Sequence, residues 1–174
     1  MESSIIIVIN MQNDFVYGKL ESYWAQCIIS SVQSLLNEGK KTNSKIIFVR
    51  DTHDENEYSN SIEGKAITQH CIKGSDGWNI IPELDTTDAT IIDKNTFGFL
   101  NWKDYIDEND NRNIIITGTR AEGDIISNAL ILRSLFPNKR IIINTDCISG
   151  FYPNSVAHAL EVAENNLIEI NSED

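Results

Sequence analysis

The sequence predicts an α/β fold, a doubly wound, six-stranded, mostly parallel sheet flanked by helices on both faces. Three observations carry this expectation. Short β-branched apolar runs alternate with stretches of helical periodicity, the pattern of a parallel sheet with crossover helices. Two runs, SIIIVI (4–9) and NIII (113–116), are apolar without alternation, as in strands buried on both faces. Polar residues collect directly after the strands, where open sheets of this kind bind their ligands.

Taken in order, Ser4 to Ile9 forms a central strand that runs into the polar cluster Asn10, Gln12, Asn13 and Asp14. Leu20 to Glu38 is helical in pattern, with Trp24, Ile28, Val32 and Leu35 or Leu36 on one stripe and Gly39 placed to cap the end. Lys45 to Val49 is the next strand, and its exit carries Arg50, Asp51, Thr52 and His53. The stretch from Asp54 to Leu84 is polar and irregular, and a loop of that length in a compact fold is usually functional. Thr90 to Ile92 is a short strand leading to Asp93 and Lys94, with a helix expected over Leu100 to Ile106.

The stretch NIIITGTRAEGDIISNALILRSL (113–135) reads as strand, sharp turn and helix. Gly118 breaks the apolar run, and Ile125, Ala129, Leu132 and Phe136 then recur at helical spacing. Thr119 and Glu122 stand in capping-box relation, which starts the helix near residue 120 and places Asp124 in its first turn. Arg140 to Asn144 is a fifth strand, Asn154 to Glu164 a helix, and Leu167 to Ile170 the last strand.

A chain of 174 residues is the size of one ordinary domain, so residues 1–174 are expected to form a single unit. With 26 acidic against 14 basic residues the net charge is −12, which argues against nucleic acid or an anionic membrane as partner. No stretch approaches the ~20 apolar residues of a membrane span, and no basic and apolar leader pattern opens the chain, so a cytoplasmic location is expected. Cys27, Cys71 and Cys147 are odd in number and lack zinc-finger spacing, which points to reduced thiols.

The strand ends bring Asn10, Asp51, His53, Lys94 and Asp124 toward one edge of the sheet. Asp51 and His53 are two apart and suit one metal ion, with Glu57, Glu63 and His70 in the long loop as further candidates. Carboxylate and imidazole ligands fit zinc, iron or manganese better than calcium. Lys94 follows a buried run and precedes the apolar TFGF, a context for a desolvated amine paired with a carboxylate, and Asp124 is the obvious partner.

The blocks VINMQNDF (8–15), RDTH (50–53), EGKAITQHCIKGSDGW (63–78), DKNTFGF (93–99) and ITGTRAEGDIISNAL together resemble the isochorismatase-like hydrolases, and most nearly their nicotinamidase branch. The resemblance runs from about residue 5 to residue 150 in order and spacing. It implies a catalytic aspartate, lysine and cysteine, with backbone N–H groups as the oxyanion hole and often a cis peptide before the cysteine. The lysine matches Lys94, whereas the aspartate position holds Asn10 and the cysteine position Asp124. The resemblance also implies a divalent metal, zinc above iron or manganese, on Asp51, His53, Glu63 and His70, with Glu57 in reserve. Phe15 and Trp78 are the implied walls of a ring slot, and Thr119 and Arg120 complete the ligand-binding set.

An amide at position 10 is no base, and a carboxylate at position 124 is a far poorer nucleophile than a thiolate. The leading expectation is therefore a metal-binding pocket for a small aromatic or amide ligand without thiolate amidase chemistry, with Asn10 hydrogen-bonded and Lys94 paired to Asp124. One alternative is an active hydrolase of an amide or vinyl ether that uses Asp124 as acid or base with a metal-bound water. Another is a non-catalytic subunit partnering an active homologue. Family members commonly assemble, so a homo-oligomer is implied.

Overall fold

The computed structural model describes residues 1–171, so residues 172–174 of the expected 1–174 unit lie outside the described ones. In chain order the elements are β1 (Ser4–Ile9), α1 (Asn13–Val16), α2 (Tyr23–Cys27), α3 (Ile29–Lys41), β2 (Lys45–Asp51), α4 (Glu55–Tyr58) and α5 (Ile62–Ala66). They continue with β3 (Thr90–Lys94), β4 (Asn113–Thr119), α6 (Ile126–Leu135), β5 (Ile141–Ser149), α7 (Pro153–Asn165) and β6 (Glu169–Asn171). The strands form one sheet in the order β3-β2-β1-β4-β5-β6, and every pairing is parallel. The winding reverses between β1 and β4, which makes the carboxyl ends of those two strands the topological switch point.

Both faces of β1 are buried, and its side chains divide between two cores. Ile5, Ile7 and Ile9 join one core with Ile125, Ala129, Leu132 and Phe136, the helical stripe predicted from sequence. Ile6 and Val8 join the other with Val32, Leu35 and Leu36 of α3. An uninterrupted apolar strand is therefore what a sheet covered on both sides demands.

The predicted helix over 20–38 is two helices. Ser22 caps α2 by accepting from the Ala25 N–H (3.4 Å), and this phase turns Ala25 inward while Trp24 is 48% exposed, not part of the buried stripe. Gly39 does not cap α3 but lies within it. A Cβ there would come within 2.5 Å of Ile6 Cδ1, so glycine permits the helix to press on the sheet. Over Leu100–Ile106 only one 3₁₀ turn forms, Trp102–Asp104, because the fully buried Trp102 sets the chain path in place of helical amphipathicity. The stretch 54–84 carries α4, α5 and a 3₁₀ turn at Asp76–Trp78.

β4 runs on past Ile116 to Thr119, through Gly118 at φ +110°. The turn that follows, Ala121–Ile125, is π-wide, with the Ile125 N–H donating to the Arg120 carbonyl at 3.0 Å. No capping box forms. The Thr119 hydroxyl instead accepts from Ser149 Oγ (3.1 Å), and the Glu122 carboxylate accepts from the Phe151 N–H (2.9 Å), tying the turn to the end of β5.

A Cβ on residue 118 would sit 2.1 Å from the Ile9 carbonyl oxygen, at a φ that side chains avoid. Gly118→Ala should therefore lower stability by at least ~2 kcal/mol, or roughly 4–8 °C in Tm. Gly74→Ala, at φ +82° with open space around it, should cost only about 1 kcal/mol. Paired thermal melts check the difference, and equal losses would refute the steric account.

Candidate functional site

Asp51 and Lys94 end neighbouring strands and are register partners. Between them and the tip of the π turn lies a buried chain of charge. The Lys94 ammonium donates to Asp124 Oδ1 at 2.7 Å and to Asp51 Oδ1 at 3.2 Å, with all three side chains essentially removed from solvent. Burial works against the lysine's charge, but the Asp124 and Asp51 carboxylates outweigh it and push its pKa up. For Asp51, burial again opposes ionisation. The Lys94 charge and hydrogen bonds from His53 and His70 together hold its carboxyl well below the usual range.

Asp51 is held from behind by Gln12. The Gln12 amide donates to the Asp51 carbonyl (2.8 Å) and the Trp78 carbonyl (2.9 Å), and its oxygen accepts from the Asp51 N–H (2.7 Å). A fully buried side chain thus acts as one more residue of strand pairing against β2, beyond the last residue of β1.

The other oxygen of Asp51 faces the imidazoles. His53 Nε2 and His70 Nε2 each lie 3.1 Å from Asp51 Oδ2, and Glu63, from α5, reaches within 4.0 Å of His53 Nε2 and 3.9 Å of His70 Nε2. One donor atom from each of the four falls within 4.8 Å of the others, so the set predicted from sequence converges. Ligands at ~2.0–2.2 Å around a tetrahedral zinc stand about 3.4 Å apart, close to these separations. The donor chemistry also fits. His70 Nδ1 lies 2.8 Å from the Thr68 carbonyl, an acceptor, so Nδ1 carries a proton there. Nε2, 3.1 Å from Asp51 Oδ2, either donates to that carboxylate as the second N–H of an imidazolium or, in the neutral ring, turns its lone pair to a cation. Burial lowers the His70 pKa, yet its bonds to Asp51 and Thr68 prevail and raise it, while burial and Asp51 raise that of Glu63. Glu57, the reserve ligand, is outside this group and lines the neighbouring cleft.

At the end of β1, Asn10 sits at φ +52° with its N–H bonded to the Val49 carbonyl (2.9 Å). Its side chain was expected to be hydrogen-bonded. Instead both amide atoms are buried and without a hydrogen-bond partner among the described residues, as are Asp124 Oδ2 and Arg120 Nε. Arg120 Nε is 3.8 Å from Asp124 Oδ2, too far for a hydrogen bond. The peptide between Thr119 and Arg120 is cis. Buried donors and acceptors of this kind are costly unless water, an ion or another polar group meets them.

Phe15 is buried edge-on against His70, ring centroids 5.4 Å apart, and so borders the imidazole group. Trp78 has one face covered by the Arg50 guanidinium at 3.6 Å and donates from its indole N–H to Thr52 Oγ1 (2.8 Å). Sequence reasoning did not single out Phe151, whose ring holds Arg120 at 4.7 Å, or Tyr58, packed between His53 and His70. It also missed Asn128. That residue accepts from the Phe99 N–H and Trp102 Nε1 and donates to the carbonyls of Phe97 and Asp124, locking the 97–102 segment to α6. A polar residue one helical turn after Asp124, inside an apolar stripe, was the available signal.

None of the three thiols occupies the tip of the turn at residue 124. Cys27 is exposed on α2, and Cys147 is buried in the core on the α3 side. Cys71 is buried, and desolvation with the surrounding carboxylates pushes its thiol far above the usual range, so it stays protonated.

In an α/β sheet of this kind the switch point, where this polar set lies, is the place for a bound ligand. The Isochorismatase domain model matches residues 4–173, and the chain belongs to that family. Its fold is similar to that of pyrazinamidase of Pyrococcus horikoshii in complex with zinc (TM-score 0.88, 24% identity, 98% of this chain and 99% of that one). It is also similar to nicotinamidase/pyrazinamidase of Bacillus subtilis (TM-score 0.87, 19% identity, 99% and 100%). N-carbamoylsarcosine amidase of Thermoplasma acidophilum shares it as well (TM-score 0.80, 20% identity, 100% and 98%). Comparison with curated protein sequences yields no match.

Removing the Lys94 ammonium would strand two buried carboxylates. Lys94→Met should destabilise the fold by about 3–5 kcal/mol, and adding Asp124→Asn should recover part of that loss. Denaturant unfolding of the single and double variants checks this. A Lys94→Met variant as stable as the parent would remove the ion chain from the account.

Proposed function

We propose that this chain is a divergent member of its family in which a small aromatic or amide ligand and a divalent metal are bound, without thiolate amidase chemistry. The observation that carries the reading is the bond from Lys94 to Asp124. The tip of the turn, where the resemblance calls for sulfur, holds a carboxylate with one oxygen committed to the lysine. Asn10 replaces the matching base, and an uncharged amide neither takes a proton from a nucleophile nor delivers one at ordinary pH.

The ligand-binding role of the pocket follows from what its groups leave unused. Lys94 spends two of its three N–H bonds on Asp51 and Asp124, leaving one for a ligand oxygen. Asp124 Oδ2 and Asn10 Oδ1 are open acceptors, and Asn10 Nδ2 and Arg120 Nε are open donors. A neutral group offering both N–H and carbonyl meets this pattern. Phe15 offers an apolar ring beside it.

Asp51, His53, Glu63 and His70 would hold the metal, and the zinc in the P. horikoshii pyrazinamidase structure favours zinc over iron or manganese. Such an ion, when bound, acts as a Lewis acid or anchors a ligand's ring nitrogen. The competing reading, in which Asp124 is an acid or base in an active hydrolase, draws on its one open oxygen, but the other is tied to Lys94 and position 10 offers no second carboxylate.

Purified protein should carry close to one divalent ion per chain by elemental analysis, and His53→Ala should lower metal affinity at least tenfold. A parent protein with no affinity for zinc would end the metal assignment. With nicotinamide as substrate, ammonia release should stay at background in the native chain and appear in the double variant Asn10→Asp, Asp124→Cys. Turnover by the native chain, abolished by Asp124→Ala, would establish the hydrolase reading instead.

A further inference from the structure

Asp14 carries a buried carboxylate that no step of the proposed function uses. It lies on α1, just beyond the end of β1, and is only 5% exposed. Its oxygens are met by backbone: Oδ2 accepts from the Cys71 N–H at 2.7 Å, and Oδ1 accepts from the Lys19 N–H at 3.2 Å. The space around it is narrow. A Cβ on Gly77 would come within 2.1 Å of Oδ2, and one on Gly18 within 2.5 Å of Oδ1, so glycine at both positions leaves room for the carboxylate.

What this carboxylate holds is the main chain that presents the imidazoles. The Cys71 N–H belongs to the peptide that follows His70, whose side chain is fully buried. Cys71 sits at φ +46°, in the left-handed region that side chains disfavour, and the bond from its N–H helps to keep it there. From Cys71 the constraint passes to His53. The His53 N–H donates to the Cys71 carbonyl (3.0 Å), and the His53 carbonyl accepts from the Lys73 N–H (3.0 Å), so the 71–73 segment pairs with His53 as a short parallel bridge. One bond from Asp14 therefore bears on the backbone of both histidines. Its neighbour Phe15 packs on the His70 ring, so two consecutive residues of α1 fix that histidine's peptide and its imidazole.

We propose that Asp14 is a positioning residue of the metal site: by holding the peptide between His70 and Cys71, its carboxylate sets the backbone from which both imidazoles reach the cation. Ligands must be held to within about 0.5 Å of a coordinating geometry, and groups behind the ligands supply that precision. The inference rests on the metal-binding reading above and extends it to a residue that donates no atom to the ion.

The test measures zinc affinity by chelator competition, and the visible absorption of the cobalt(II)-loaded protein, whose bands report coordination geometry. In Asp14→Asn one N–H loses its acceptor to an NH₂ group, so zinc should bind roughly tenfold or more weakly and the cobalt bands should shift. Gly77→Ala, at a residue without positive φ, displaces the carboxylate without removing it and should change both readouts in the same direction, even should Asp14→Asn fail to fold. Gly39→Ala, crowding Ile6 and Met1 toward the start of β1, controls for a general loss of stability and should keep the parent's affinity and spectrum. If the parent binds zinc and the Asp14 and Gly77 variants match it, or if Gly39→Ala weakens binding as much as they do, the positioning role is wrong and the metal site stands. If the parent binds neither zinc nor cobalt, the metal reading fails and the role of Asp14 with it.

Discussion

The ammonium of Lys94, buried between the carboxylates of Asp51 and Asp124, is the interaction on which the rest of the site depends. An isolated charge in that position would be prohibitively costly, so the carboxylates and the lysine require one another. They come from the ends of β2 and β3 and from the turn after β4, and each end is fixed by its own device. Gln12 pairs with the backbone of Asp51, parallel register sets Lys94 beside it, and Asn128 bonds the Asp124 carbonyl. Asp51 then links the chain to the imidazoles through its second oxygen, so the imidazole group and the lysine share one carboxylate. A perturbation at either end is felt at the other through that shared group.

The architecture was open to reading because buried parallel strands announce themselves by uninterrupted apolar runs. Six strands were found in order, and the side chains of Ile125, Ala129, Leu132 and Phe136 fell where their spacing put them. Errors concentrated where tertiary packing overrides local pattern. Trp24 belonged to a periodic stripe on paper, but the separate cap at Ser22 rotated it outward. Thr119 and Glu122 had capping-box spacing, but both side chains were taken up by the end of β5, a partner invisible to local spacing. Leu100 to Ile106 looked helical, yet burial of one indole decided the path.

The same contrast holds within the site. Asp51, His53, Glu63 and His70 were identifiable because metal-ligand residue types stood in recognisable blocks, and the structure brings all four together. Lys94 with Asp124 was foreseen from context and is present at hydrogen-bond distance. Gln12 and Asn128 were not foreseen as site residues, since both work through backbone groups distant in sequence, and nothing in the identity of an amide says which carbonyl it will reach. The isolation of the Asn10 amide was also beyond sequence, because the lack of a partner is a property of packing.

The substitutions at positions 10 and 124 are best understood together. The family pattern in the resemblance sets an aspartate on the first strand against a neutral thiol at the turn, whereas this chain sets a neutral amide against an aspartate. In that pattern the negative charge stands on the first strand; here it stands at residue 124, where Asp124 and Asp51 are the two carboxylates bonded to Lys94. With Asp51 and Asp124 both on its ammonium, Lys94 already has two counterions, and a third carboxylate brought to it would be opposed by like-charge repulsion. Two carboxylates on one buried ammonium are held in part by Asp124, a residue that supplies no nucleophilic sulfur.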